Sequence, residues 1–205
     1  MCGLMGFVGN PDRRLVDALI LKARRRGPDS FGIAWRTTCQ GHQAIERQLT
    51  PSWPARYRVT LPSEDLAWGI GHARLTTSGR GIDNAQPLQI GDLVFAHNGT
   101  VYEPEVLAAV YGLPLVGAND SEALGRLFIS SGYDAARTME WLAEHHEGRN
   151  IPHAWVAALP TQMWVVAWGH PLHVTEAGKV RCISSWPFPG SSQLHAGTVL
   201  TWEVS

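Results

Sequence analysis

The apolar residues of this chain come in runs too short for anything but strands and the faces of modest helices. The longest, Ala154–Leu159 and Met163–Trp168, are six residues each, and Pro160 and Gly169 close them. A membrane-spanning helix needs about 18 consecutive apolar residues, so none is written here. The last quarter, with Leu172–Thr175, Val180–Ser184 and Thr198–Val204 beside those two runs, is rich in β-branched and Trp residues and predicts an antiparallel sheet. Upstream, residues 3–9 read as a short buried strand. Phe31–Trp35, Ala67–Arg74 and Asp92–His97 read as further strands, each followed by a Gly-rich or polar loop that could hold reactive side chains. Asn10 as N-cap with Pro11 at the first helical position opens a helix whose apolar face is Leu15, Ala18, Leu19 and Ala23, ending before Gly27-Pro28. Glu103–Tyr111, Asp120–Ser131 and Asp134–Glu147 read as helices closed by Gly112, Gly132 and Gly148. The expectation is one α+β domain over residues 1–205, with helices grouped between sheet segments.

Charge excludes some functions. Lys+Arg 17 against Asp+Glu 18 leaves a net charge of -1, so no global attraction to nucleic acid or to an anionic membrane is expected. Leu4–Val8 has no basic segment before it and is interrupted at once by Gly9, Asn10, Pro11 and Asp12, which is not the pattern of a signal peptide. Cys2, Cys39 and Cys182 form no CxxC pair, so a cytoplasmic protein without a disulfide scaffold is expected. His145-His146 and Cys39 with His42 lack zinc-site spacing, so neither metal nor cofactor is expected. The basic run Arg24, Arg25 and Arg26 reads as a solvated helix end, where cations oppose the C-terminal dipole.

Cys2 is informative because of where it is. If Met1 is removed, the thiol and a free α-amino group belong to one residue, and an α-amine has a reference pKa of about 7.7–8.0, suited to a base at neutral pH. A thiol, at about 8.5, needs only a modest push to become a nucleophilic thiolate. The other reading is a buried structural cysteine.

Six blocks then occur in order: Cys2-Gly3-Leu4-Met5-Gly6, Arg26-Gly27-Pro28-Asp29-Ser30-Phe31-Gly32-Ile33, Gly71-His72-Ala73-Arg74-Leu75-Thr76-Thr77-Ser78-Gly79, Gln86-Pro87, Ala96-His97-Asn98-Gly99-Thr100 and Asn119-Asp120-Ser121-Glu122. Each alone could be any turn. In series they resemble the class II glutamine amidotransferase domain, an N-terminal-nucleophile hydrolase, over residues 2 to about 125. The resemblance implies a four-layer αββα sandwich with two mostly antiparallel sheets, and hydrolysis of L-glutamine to glutamate and ammonia through a thioester on Cys2. It implies that the Asn98 side chain and the Gly99 N–H form the oxyanion hole. Arg74 would bind the substrate carboxylate, Thr77 would assist it, and Asp120 would bind the ammonium. Arg26 and Asp29 would shape the loop around the N-terminus.

Other readings of these residues stay open. Asn98-Gly99 could be a tight hairpin turn after its strand, Arg74 an ordinary ion pair, and Asn119 or Asp120 a helix cap, with Asn119 and Glu122 at capping-box spacing. Leu75 stands where sugar-amidating relatives usually carry an aromatic residue, Ser78 replaces a common His, and Pro28 is closer to the asparagine-synthetase version of its block. A chain of 205 residues holds the glutaminase and no synthase beside it, so an ammonia-accepting synthase or amidase partner is expected. Two alternatives keep the fold: a hydrolase of γ-glutamyl amides of larger amines, using the same side chains, and a non-catalytic regulatory subunit.

Overall fold

A computed structural model describes residues 2–39, 41–49, 59, 61–75, 82–117 and 119–204. In chain order the elements are β1 (Gly3–Val8), α1 (Arg13–Arg26), β2 (Ser30–Thr37), β3 (Gln43–Leu49), β4 (Leu66–Arg74), a 3₁₀ turn at Ile82–Asn84, β5 (Leu88–Ile90), β6 (Leu93–Asn98), α2 (Pro104–Tyr111), α3 (Asp120–Ser130) and α4 (Ala135–His145). The sheet-rich end follows with β7 (His153–Leu159), β8 (Gln162–Trp168), β9 (His173–Ala177), β10 (Val180–Ser184), β11 (Ser192–Gln193) and β12 (Thr198–Glu203). Among the described residues none of the helices is long and apolar enough to cross a membrane.

The strands form two sheets, ordered β11-β9-β10-β1-β4-β2-β3 and β12-β8-β7-β6-β5, and neighbouring strands are antiparallel throughout. The expected α+β class with two antiparallel sheets is what the chain adopts. Side chains alternate across a strand, and β1 shows what that alternation does. Leu4 and Val8 point into a core shared with Ile70, Ala96 and Val156 of β4, β6 and β7, which lies between the two sheets. Met5 and Phe7 point the other way, to Val16, Leu19, Ile20 and Ala23 of α1. On the outer face of the second sheet, Phe95, Trp155 and Trp164 pack on Leu124, Leu127 and Phe128 of α3 and on Met139 and Leu142 of α4. The layers are therefore α1, sheet, sheet, and α2 to α4.

Several expected boundaries shift for local reasons. α1 is capped by the Asp12 carboxylate, which accepts from the Arg14 N–H, and not by Asn10. Asn10 instead binds Asp65 at 2.7 Å and the Leu66 N–H at 3.1 Å, holding the start of β4. The buried face of α1 turns with the later start to Val16, Leu19, Ile20 and Ala23, and Ala18 is exposed. The basic helix end is not wholly solvated: Arg24 is buried, and the Arg26 guanidinium donates to the Ser185 carbonyl. β3, β5 and β11 were not expected. β3 carries polar residues on both faces, and the other two are only three and two residues long.

Beside that side-chain packing, α1 and the first sheet touch backbone to backbone at two glycines. A Cβ on Gly3 would lie 2.0 Å from the Ala23 carbonyl oxygen, and one on Gly27 would lie 2.1 Å from that of Ala73. On the opposite face of β1, a Cβ on Gly6 would meet its nearest neighbours at 3.4 Å, an ordinary van der Waals contact. We therefore expect Gly3→Ala to lower the unfolding free energy by about 3 kcal/mol or more, since a rigid carbonyl cannot step aside, and Gly6→Ala to change it by less than about 1.5 kcal/mol. Urea denaturation of the two variants checks this, and equal midpoints would contradict it.

Candidate active site

The inter-sheet core turns polar at one end. Along the inward faces, Leu4 gives way to Cys2 on β1, Ile70 to His72 and Arg74 on β4, and Ala96 to Asn98 on β6. The period of two that builds the core thus carries these four side chains to one place, where a cavity of about 570 Å³ opens. Its lining includes Cys2, Arg26, Arg74, Asn98, Gly99 and Asp120. Six of the eight residues expected at a site are therefore brought together. Asp29 lies beside the cavity, its N–H donating to the Arg74 carbonyl at 3.0 Å and so fixing the end of β4. Thr77 lies outside the described residues.

Cys2 is half-buried at the open end of β1. The Leu75 N–H points to its Sγ at 3.4 Å, and the Asn98 Nδ2 donates to its carbonyl at 3.2 Å. Asn98 is the last residue of β6, and the chain passes through Gly99 into the loop before α2, so the hairpin reading of Asn98-Gly99 does not hold. The β5–β6 hairpin turns earlier, at Gly91, which has φ 61. Gly99 has φ 150, and a Cβ there would lie 2.4 Å from His97 Nε2 and 2.6 Å from His153 Nδ1, so only glycine fits.

Asp120 opens α3 and accepts from the Val101 N–H at 2.9 Å. Burial raises its pKa, while the hydrogen bonds from Val101 and Ser121 and the charge of Arg74 pull the other way. The helix N-terminus favours the ionised form of this half-buried carboxylate. The cap of α3 is Asn119, which accepts from the Ser121 N–H. Glu122 does not complete a capping box; it binds Val116 N–H, Gly117 N–H and Arg126 instead.

Sequence reasoning gave no role to the polar residues that support these groups. His72 Nε2 lies 3.0 Å from Asn98 Oδ1. On the helix side of β6, Gln86 accepts from the His97 N–H at 2.7 Å and donates to Ser121 Oγ at 3.0 Å, and Ser121 Oγ is 3.0 Å from His97 Nδ1. This triangle ties the strand that ends in Asn98 to the helix that begins with Asp120. His97 Nε2 then meets His153 Nδ1 at 3.0 Å, and the His153 ring stacks on His146 with centroids 5.7 Å apart. The signal was present in the quoted blocks, since His72, Gln86, His97 and Ser121 all fall inside them. The pairing across sheets was not.

No protein-family model and no curated protein matches this sequence. Solved structures do. Glutamine phosphoribosylpyrophosphate amidotransferase from B. subtilis superposes with a TM-score of 0.71 at 22% identity, covering 98% of this chain and 47% of that one. A structure described as the allosteric regulatory enzyme of purine biosynthesis gives 0.67 at 21% identity, covering 90% and 42%. A glutamine aminotransferase class-II domain protein from Silicibacter pomeroyi gives 0.64 at 15% identity, covering 98% of this chain and 94% of that one. The chain has the class II amidotransferase fold. It spans less than half the length of the first two enzymes.

The class II fold here buries four histidines among the described residues, His72, His97, His146 and His153, and lowers the pKa of each. Burial is the first cause in each case: it lowers His72 to about 4 and His153 to about 3, and holds His97 well below its ordinary value, with neighbouring His or Arg charges acting in the same direction. A histidine at its unfolded pKa of about 6.5 binds a proton that the folded form refuses. The stabilisation is complete above pH 6.5 and is lost as the pH falls toward the folded values. Asp120, with its raised pKa, works in the opposite sense as a single group. The unfolding free energy from urea denaturation should therefore fall from pH 7 to pH 4.5, by up to about 1.4 kcal/mol per pH unit for each of these histidines, and the midpoint with it. A flat midpoint over that range would contradict their being buried and neutral.

Proposed function

We propose that this protein is a glutaminase: it hydrolyses L-glutamine to glutamate and ammonia through Cys2 and delivers the ammonia to a separate acceptor. The observation that carries the reading is the convergence of Cys2, Arg74, Asn98, Gly99 and Asp120 on one cavity, in a fold shared with a glutamine phosphoribosylpyrophosphate amidotransferase.

Removal of Met1 frees the α-amine of Cys2, which takes the thiol proton. The thiolate attacks the side-chain amide carbon of glutamine, and the carbonyl oxygen becomes an oxyanion facing the Asn98 Nδ2 and the Gly99 N–H. When the C–N bond breaks, the α-ammonium returns its proton to the leaving nitrogen, which departs as NH3. Water then attacks the thioester with the amine again as base, and the thiolate leaves and is reprotonated. Arg74 opposes the α-carboxylate of the substrate and Asp120 its α-ammonium, two opposite charges that select a free amino acid end. Thr77 assists the carboxylate, and Arg26 and Asp29 support the loop. Ammonia released into water is protonated and loses its nucleophilicity, so a synthase or amidase that docks over the cavity completes the scheme.

A second reading has one observation in its favour. A cavity of about 570 Å³ falls within the range of about 300–1,000 Å³ that holds drug-sized ligands. That gives room for a γ-glutamyl amide with a larger amine.

The test is glutamate release by protein whose mass verifies an N-terminal Cys2, assayed on glutamine and on a panel of γ-glutamyl amides. Cys2→Ala should abolish turnover, and Asn98→Ala should lower kcat by about 10²–10³. Arg74→Ala and Asp120→Asn should act chiefly on KM. Turnover retained in Cys2→Ala would overturn both readings, and a preference for conjugates over glutamine would favour the second.

A further inference from the structure

We propose that His72 is the positioning residue of the oxyanion site: it fixes the Asn98 amide so that its nitrogen, and not its oxygen, faces the reacting centre. The inference rests on the glutaminase reading. A carboxamide presents an oxygen and a nitrogen of nearly equal size, so packing alone barely distinguishes its two orientations. Only one of them donates to an oxyanion. In the other, a carbonyl oxygen would face the developing negative charge and repel it.

The donor inventory around Asn98 decides the orientation. The Cys2 carbonyl can only accept, and it lies 3.2 Å from Asn98 Nδ2, so the nitrogen faces Cys2. The oxygen then faces His72 Nε2 at 3.0 Å and needs a donor there. His72 is 1% exposed and neutral, so it carries a single ring proton, and the bond to Oδ1 requires that proton on Nε2. Its Nδ1, buried and without a hydrogen-bond partner among the described residues, is then the bare nitrogen. Of the two Asn98 N–H groups, one is committed to Cys2, and the second remains for the oxyanion. His72 sits two residues before Arg74 on β4, so the strand that presents the carboxylate-binding side chain also orients the oxyanion donor from the facing sheet.

Without His72 the amide oxygen loses its donor, only the Cys2 carbonyl still favours the productive orientation, and the reversed one becomes more populated. We expect His72→Leu to lower kcat for glutamine by about 10- to 100-fold, short of the full loss of a donor, with KM changed less than about twofold, because no substrate-binding group is touched. His72→Gln, whose Nε2 can donate to the same oxygen, should recover at least about tenfold of that loss. Both variants should alkylate at Cys2 with iodoacetamide at the wild-type rate. Unchanged kcat in His72→Leu, equal losses in the Leu and Gln variants, or a loss expressed in KM would overturn the proposal. A readout free of turnover keeps it separate from the glutaminase reading and from any folding defect. In 15N-resolved spectra of the wild-type protein at pH 7, His72 should be the Nε2–H tautomer and the Asn98 side-chain amide protons should be slow to exchange. An Nδ1–H tautomer overturns the inference whether or not glutamine is hydrolysed, whereas a wild type that hydrolyses no glutamine but shows the Nε2–H form counts against the glutaminase reading alone.

Discussion

β1 is hydrogen-bonded along both edges and covered on both faces, and the rest of the molecule is arranged around that requirement. Its partners are distant in the chain: Gly3 pairs with Ala73 of β4, and Met5 with Ser184 of β10. Pairing of this range is costly in loop-closure entropy and is repaid only when the two-sided core closes over it. The thiol at the end of β1 therefore has no fixed position until strands from the middle and the last part of the chain are in place. Once they are, Cys2, His72, Arg74 and Asn98 are simply the next residues in rows that begin as core.

The polar end of that core is held by hydrogen bonds behind the groups that line the cavity. Buried donors and acceptors that go unmet cost about 1–3 kcal/mol each, so a site of this kind needs partners behind the groups it presents. Here the partners are neutral: Gln86, Ser121 and imidazoles that burial keeps unprotonated. The charged side chains that line the cavity are then Arg26, Arg74 and Asp120.

The fold was largely legible because its signals are local. Alternation and short apolar runs marked β1, β4, β6, β7 and β8, and glycines marked the ends of α2, α3 and α4. What stayed hidden depends on tertiary context. Asp12 capped α1 because Asn10 was drawn to Asp65 and Leu66, a contact across 55 residues. β3 has no buried face to give it a pattern, and its partner β2 supplies the order. At the site, Cys2, Arg74, Asn98 and Asp120 could be named because blocks of sequence carry them. The roles of His72 and Gln86 could not, since each depends on a hydrogen bond to a residue on another strand or helix.

The glycine contacts also bear on how the protein could change over generations. Where β1 and β4 meet α1, backbone touches backbone, and no neighbouring side chain can shrink to admit a larger residue at Gly3 or Gly27. The wall of the site that holds the thiol is thus nearly closed to mutation. Across the cavity mouth, Tyr102 lines the opening and, with Val106 and Val110 of α2, is exposed, so substitutions there meet solvent before they meet the core. Drift in the shape of the cavity would accumulate on that side, leaving the Cys2 thiol where it is.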